Sequence, residues 1–155
     1  YATQFLPDYI HILFVGDGPK RKQYEDLVNK LNLNSQIHFL GVRHDVPKLM
    51  KTAHIFVLSS HWEGFGLVAI EAMAAGLPII VSDVPGLRDV VGNAGWLFQK
   101  GNSKELAKKI INLLSSKKEM DKLKEKGLQR AQLFSIENTV EQYINLYKSV
   151  SCEYR

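Results

Sequence analysis

Five short, almost wholly apolar runs, at residues 10–15, 36–40, 55–58, 78–81 and 95–98, alternate with segments of helical pattern and constrain this chain more than any other feature. Runs that are apolar at successive positions must be buried on both faces, which points to a parallel sheet covered on each side by helices. Helices are expected at residues 20–31, at 46–51 begun by Asp45, at 66–75 ended by Gly76, and at 86–91. From Ser103 the pattern is wholly helical: 103–115, a second helix begun by the capping box Ser116-Lys117-Lys118-Glu119, and a third after Ser135. There are no repeats and no linker, so residues 1–155 are expected to form one α/β domain with a helical C-terminus.

Composition excludes several classes. A net charge of +4 suits an anionic ligand or contact with anionic lipid but is too mild for nucleic acid, which is not expected as a partner. The basic residues between Lys20 and Lys30 and between Lys104 and Lys126 alternate with acids, the pattern of solvated helix faces. Cys152 is the single cysteine, so an intrachain disulfide and a CxxC metal site are both impossible. The five histidines lack ligand spacing, and neither a metal nor a cofactor is expected. No apolar run reaches membrane-spanning length and no leader pattern opens the chain, so the expected location is cytoplasmic.

In open parallel sheets the ligand crevice lies beyond the carboxyl ends of the strands. Three loops that follow strands carry residues suited to binding: Gly16-Asp17-Gly18-Pro19, Gly41-Val42-Arg43-His44-Asp45 and Ser59-Ser60-His61-Trp62-Glu63-Gly64. The first begins like a dinucleotide fingerprint, but Arg21 stands where the third glycine belongs and no ribose-binding acid follows at the usual distance. The third leads into Glu63-Gly64-Phe65-Gly66-Leu67-Val68-Ala69-Ile70-Glu71, where two carboxylates eight residues apart bracket a glycine-rich turn that opens an apolar helix. Such a terminus offers unpaired amides and a positive dipole end to a phosphate, and the glycines let the backbone approach closely. Glu71 falls in the second turn, about 8 Å beyond Glu63 at helical rise. A diphosphate at the amides can then present a sugar to one carboxylate and a ribose to the other.

Two plainer readings stay open. Glu63 can be a first-turn acid favoured by the helix dipole. The neighbours of Glu71, which are Val68, Ala69, Ile70, Ala72, Met73 and Ala74, leave no polar face, so this helix is expected to be buried nearly all round. There an ionised Glu71 is costly unless it pairs internally or faces a cleft.

Taken with Phe39-Leu40-Gly41, Ala74-Ala75-Gly76-Leu77-Pro78, Ser82-Asp83 and Gly95-Trp96-Leu97, these motifs run in an order that resembles the donor-binding half of a GT4-type, GT-B fold retaining glycosyltransferase, from Ile10 to Val150. The resemblance implies a Rossmann-like fold and a nucleoside diphosphate sugar, UDP or GDP, as donor substrate. It gives Glu63 the hydroxyls of the donor sugar, as the catalytic carboxylate that orients it, and Glu71 the ribose hydroxyls. Amides around Gly64, Phe65, Gly66 and Leu67 would face the diphosphate. Arg43 would pass near the nucleobase through its backbone and Lys48 would approach the nucleotide, with plain surface charge as the alternative for both.

The same resemblance implies that transfer of a hexose to an acceptor hydroxyl needs more than this chain. One strand, one helix, two basic diphosphate clamps and an N-terminal acceptor domain of the family have no counterpart in the sequence, so the chain alone is expected to be inactive. The acceptor, whether a lipid, a polysaccharide or a small metabolite, is left open, as is peripheral attachment to the cytoplasmic membrane face. The last helix carries Val140, Tyr143, Ile144 and Tyr147 on one face, either to meet that missing half or to pack on its own domain. The alternatives to a transferase are a GT-B fold sugar-nucleotide epimerase and a non-catalytic nucleotide-sugar binding subunit.

Overall fold

The structure is a computed structural model that describes residues 1–153, with side chains described through residue 150. After a short 3-10 turn at Ala2–Phe5, strands and helices alternate: β1 (Ile12–Val15), α1 (Arg21–Lys30), β2 (Ile37–Gly41), α2 (Val46–Thr52), β3 (Phe56–Leu58), α3 (Leu67–Ala74), β4 (Ile79–Ser82), α4 (Pro85–Val91) and β5 (Trp96–Phe98). Three helices follow, α5 (Ser103–Leu114), α6 (Lys117–Gln132) and α7 (Ile136–Glu153). The expected boundaries shift by a residue or two for identifiable reasons. β1 starts late because the Ile10 amide turns back to Pro7, and the ladder opens with Ile12 donating to Gln36 at 2.7 Å. Pro78 has no amide to give, so β4 begins after it, while its carbonyl still accepts from Phe56 at 2.9 Å.

All strands are parallel, and β4 is the centre. Its register pairs Phe56 with Ile79 on one side and Ile80 with Trp96 on the other. Every residue of β4 is buried. Because successive side chains of a strand point to opposite faces, Ile79 and Val81 face one helical layer and Ile80 the other. The first layer collects Met50 of α2, Ala69, Ala72 and Met73 of α3, Leu87, Val90 and Val91 of α4, and Ala131 of α6. The second collects Leu106, Ile110 and Leu113 of α5 with Leu123 of α6 and Phe98 of β5. The two-faced cover expected from the apolar strands is therefore present around β4. α3 ends at Gly76, whose φ of +77° lets Leu77 donate back to Ala72 at 3.0 Å, and Ser116 caps α6 by accepting from Glu119.

Among the described residues, β1 pairs only with β2, and β3, β4 and β5 form a separate ladder. β1 consequently leaves Leu13, Phe14 and Val15 between 42% and 49% exposed, although they are as apolar as β4. Hydrophobic sequence made both strands, but only β4 has a neighbour at each edge and a helix on each face. Of the two readings of the last helix, packing on its own domain is not what α7 does: Val140, Tyr143, Ile144 and Tyr147 are all exposed, along with Ile136. No helix among the described residues is long and apolar enough to cross a membrane.

Candidate functional site

Parallel strands put the β1, β2 and β3 loops beyond carboxyl ends, and the loop after β3 is the one most fully held. Gly66 adopts φ +81° and occupies the N-cap of α3, where no side chain caps the first amides. A Cβ here would sit 2.6 Å from Leu87 of α4, so glycine is needed both for the left-handed turn and for the packing. One helix further on, a Cβ at Gly86 would run into the backbone carbonyl of Glu63 and lie 2.7 Å from that of Gly64. The first turn of α4 is thus a buttress against the loop. α4 is in turn fixed from behind by Arg130, which donates to the carbonyls of Val90 and Asp89 at 2.9 and 2.6 Å.

A hydroxyl chain holds Glu63. Ser82, buried at the end of β4, donates 2.6 Å to the carbonyl of Ser60, and the Ser60 hydroxyl donates 3.3 Å to Glu63 Oε2. The carboxylate is half-buried and, among the described residues, has no basic partner, so it is free to accept from a ligand. Sequence reading placed Ser60 and Ser82 in motifs without a role; the structure assigns both to aiming Glu63.

The surroundings of Glu71 depart from expectation. α3 is not buried all round: Leu67, Glu71 and Ala74 are exposed, while Ala69, Ala72 and Met73 are fully covered. These exposed positions share one helical stripe, on the side of α3 turned away from the core cluster. Alanine and leucine on a solvent-facing stripe read as core in sequence, which is why the polar face was missed. No internal salt bridge to Glu71 exists among the described residues, and its carboxylate stands open.

Phe65 and Gly64 complete the turn. The Phe65 ring meets Phe134 edge-on at 5.7 Å, and Phe134 also lies 5.2 Å beneath the Arg130 guanidinium, which ties the turn to the α6–α7 junction. Gly64 has neither a left-handed φ nor a protein wall against it; a Cβ would find only the Trp62 ring at 3.7 Å.

The loop after β2 lies near the same layer, since Val46 and Met50 of α2 pack in the cluster that holds α3. Arg43 does not reach out. Its guanidinium forks onto Asp45 at 2.8 and 2.7 Å. That hydrogen-bonded fork raises the Arg43 pKa and holds the Asp45 carboxyl below its usual range. It also takes Asp45 away from capping α2, which begins without a side-chain cap. Lys48 is exposed in the first turn of α2. Among the described residues no group of three or more His, Cys, Asp or Glu side chains could hold a metal ion.

Solved structures define the class. HepE from Anabaena, crystallised with UDP, matches with a TM-score of 0.89 at 26% identity, over 96% of this chain and 43% of that one. Sucrose-phosphate synthase from Thermosynechococcus elongatus matches with a TM-score of 0.84 at 32% identity, over 98% of this chain and 41% of that one. The fold is the Rossmann-like α/β fold of GT-B glycosyltransferases. Residues 5–130 match the family described as glycosyl transferases group 1, and the chain belongs to that family. Its curated relatives include N,N'-diacetylbacillosaminyl-diphospho-undecaprenol alpha-1,3-N-acetylgalactosaminyltransferase of Campylobacter jejuni, 36% identical over 96% of this chain and 40% of the relative. Another is N-acetyl-alpha-D-glucosaminyl L-malate synthase of Bacillus anthracis, 33% identical over 90% of this chain and 37% of the relative. The chain spans about two fifths of the length of these relatives.

Proposed function

We propose that this chain is the donor-binding domain of a retaining glycosyltransferase, which transfers a hexose from a UDP-sugar or GDP-sugar to an acceptor hydroxyl and releases the nucleoside diphosphate. The observation that carries the reading is the uncapped, glycine-turned start of α3, set between a Glu63 aimed by Ser60 and a Glu71 with no partner among the described residues. Amides at Gly64, Phe65, Gly66 and Leu67 take the diphosphate at the positive end of the helix. Glu71 accepts from the ribose hydroxyls and Glu63 from those of the sugar. With Arg43 occupied by Asp45, its contribution near the base falls to its backbone, while the exposed Lys48 is available to the nucleotide.

As the glycosidic bond breaks, negative charge grows on the departing diphosphate, and amides fixed in advance stabilise it without reorganising. Glu63 holds the sugar so that the bond lies over those amides. Neither carboxylate is needed as a nucleophile or acid, and the acceptor's proton passes to the departing phosphate.

Catalysis in this reading requires further polypeptide. A preceding strand and helix fit between β1 and β3, each of which has a free edge, and cover the exposed Leu13, Phe14 and Val15. An acceptor half would meet the exposed apolar face of α7. The place of action is the cytoplasm, and the charge of +4 suits an acceptor at an anionic membrane face.

Calorimetric titration with UDP and GDP, beside Glu71→Ala, tests the donor site. Saturable binding of one nucleotide, weakened by the substitution, supports it. Equal binding by both proteins refutes the role of Glu71, and no binding to the chain joined to its preceding segment refutes the donor site.

A further inference from the structure

Trp62 is 82% exposed, the most exposed large apolar side chain among the described residues, in the loop that leads into α3. Its indole has no hydrogen bond and no ring contact among the described residues. The chain's other tryptophan, Trp96, is half-buried with Lys109 at 6.0 Å over its ring. Leaving an indole in water forgoes the largest apolar burial any side chain offers, so its position calls for a reason. Three facts about that position coincide. Trp62 directly precedes the carboxylate that Ser60 aims. Its six-membered ring lies alongside Gly64, where a Cβ would find only that ring, at 3.7 Å. And Gly64 is a glycine that neither backbone conformation nor protein packing requires. Ring and glycine together leave an open shelf in the turn that leads into α3.

We propose that Trp62 is a stacking platform for the pyranose ring of the transferred sugar, and so a determinant of sugar affinity as distinct from nucleotide affinity. This rests on the donor-site reading above. A pyranose has hydroxyls around its rim and C–H bonds on its faces, so it needs two kinds of contact. The rim hydroxyls donate to Glu63, and the C–H face lies on the indole, whose negative π-face attracts the weakly positive hydrogens. Gly64 keeps the space between ring and amides free for the sugar-phosphate linkage. The arrangement discriminates among hexoses by how flat a C–H face each presents.

The test titrates the chain with UDP-glucose, UDP-N-acetylglucosamine and GDP-mannose, and with UDP and GDP alone, in the parent protein, Trp62→Ala and Trp62→Phe. For the sugar nucleotide that binds, the ratio of its affinity to that of its bare nucleotide is expected to fall about five-fold in Trp62→Ala, the size of one aromatic contact. Trp62→Phe keeps most of the ratio, and bare-nucleotide affinity is the same in all three proteins. Tryptophan emission, read from Trp62 and Trp96 in the parent and from Trp96 alone in Trp62→Phe, should respond to the sugar nucleotide only in the parent. An unchanged ratio in Trp62→Ala overturns the proposal, and so does an equal loss for bare and glycosylated nucleotide. Absence of all nucleotide binding, in the chain joined to its preceding segment as well, overturns the donor site itself, a different failure from binding that ignores Trp62.

Discussion

Replacing Gly86 with alanine tests whether α4 sets the position of Glu63. Alanine favours a helix interior over glycine by about 0.5–1 kcal/mol, so with no obstacle the change would stabilise α4. The obstacle is backbone. The added Cβ would collide with the carbonyl of Glu63 and stand 2.7 Å from that of Gly64, which is 0.7 Å short of the 3.4 Å at which ordinary contact begins. Neither carbonyl belongs to a side chain that could rotate away, so the loop or the helix must move. Overpacking of this kind costs about 1–3 kcal/mol. Set against the helical gain, the net loss is about 1–2 kcal/mol, or a fall in Tm of about 3–6 °C for a domain of this size. Because the strain falls on the loop itself, misplacement approaching 1 Å should lower turnover of the complete enzyme by about 10²-fold. The assay is thermal denaturation with calorimetric nucleotide titration, beside Gly18→Ala, whose Cβ meets nothing within 4 Å and whose φ is not left-handed. A Gly86→Ala protein with parental Tm and parental affinity would refute the buttress.

Three further outcomes are expected. Because Glu71 is exposed and has no partner among the described residues, Glu71→Ala should leave stability within about 0.5 kcal/mol while weakening nucleotide binding, whereas Glu63→Ala should keep nucleotide binding and lower turnover of the full enzyme; denaturation and titration on the same samples separate the two effects. Ser82→Ala removes the buried hydroxyl that satisfies the Ser60 carbonyl and should cost about 1–3 kcal/mol, read as a lower denaturant midpoint at unchanged slope. The Asp45 carboxyl is held below its ordinary value by hydrogen bonds from Arg43, so the fork contributes fully above the unfolded carboxyl pKa of about 3.9 and is lost as pH falls through the lower folded value. An NMR titration of Asp45 with a midpoint at or above about 3.9 would contradict the fork.

The elements and their order were legible in the sequence because each signal is local. Apolar runs made strands, Gly76 stopped α3, and Ser116 with Glu119 started α6, all within a few residues of one another. The motif from Glu63 to Glu71 was legible for the same reason, since a glycine turn and a helix terminus are built from neighbours in the chain. Only the tertiary structure decided what lay across the chain from each residue. The Glu63 loop is wedged by Gly86 and tied to Ser82, both far along the sequence from it. Glu71 owes its open carboxylate to the direction in which α3 faces its core, which a stripe of leucine and alanine concealed. β1 and β4 read alike, yet only β4 is buried, because burial depends on neighbours that periodicity does not encode. Local propensity fixes which elements form; which of their faces stay open to a ligand is set by contacts between residues distant in the chain.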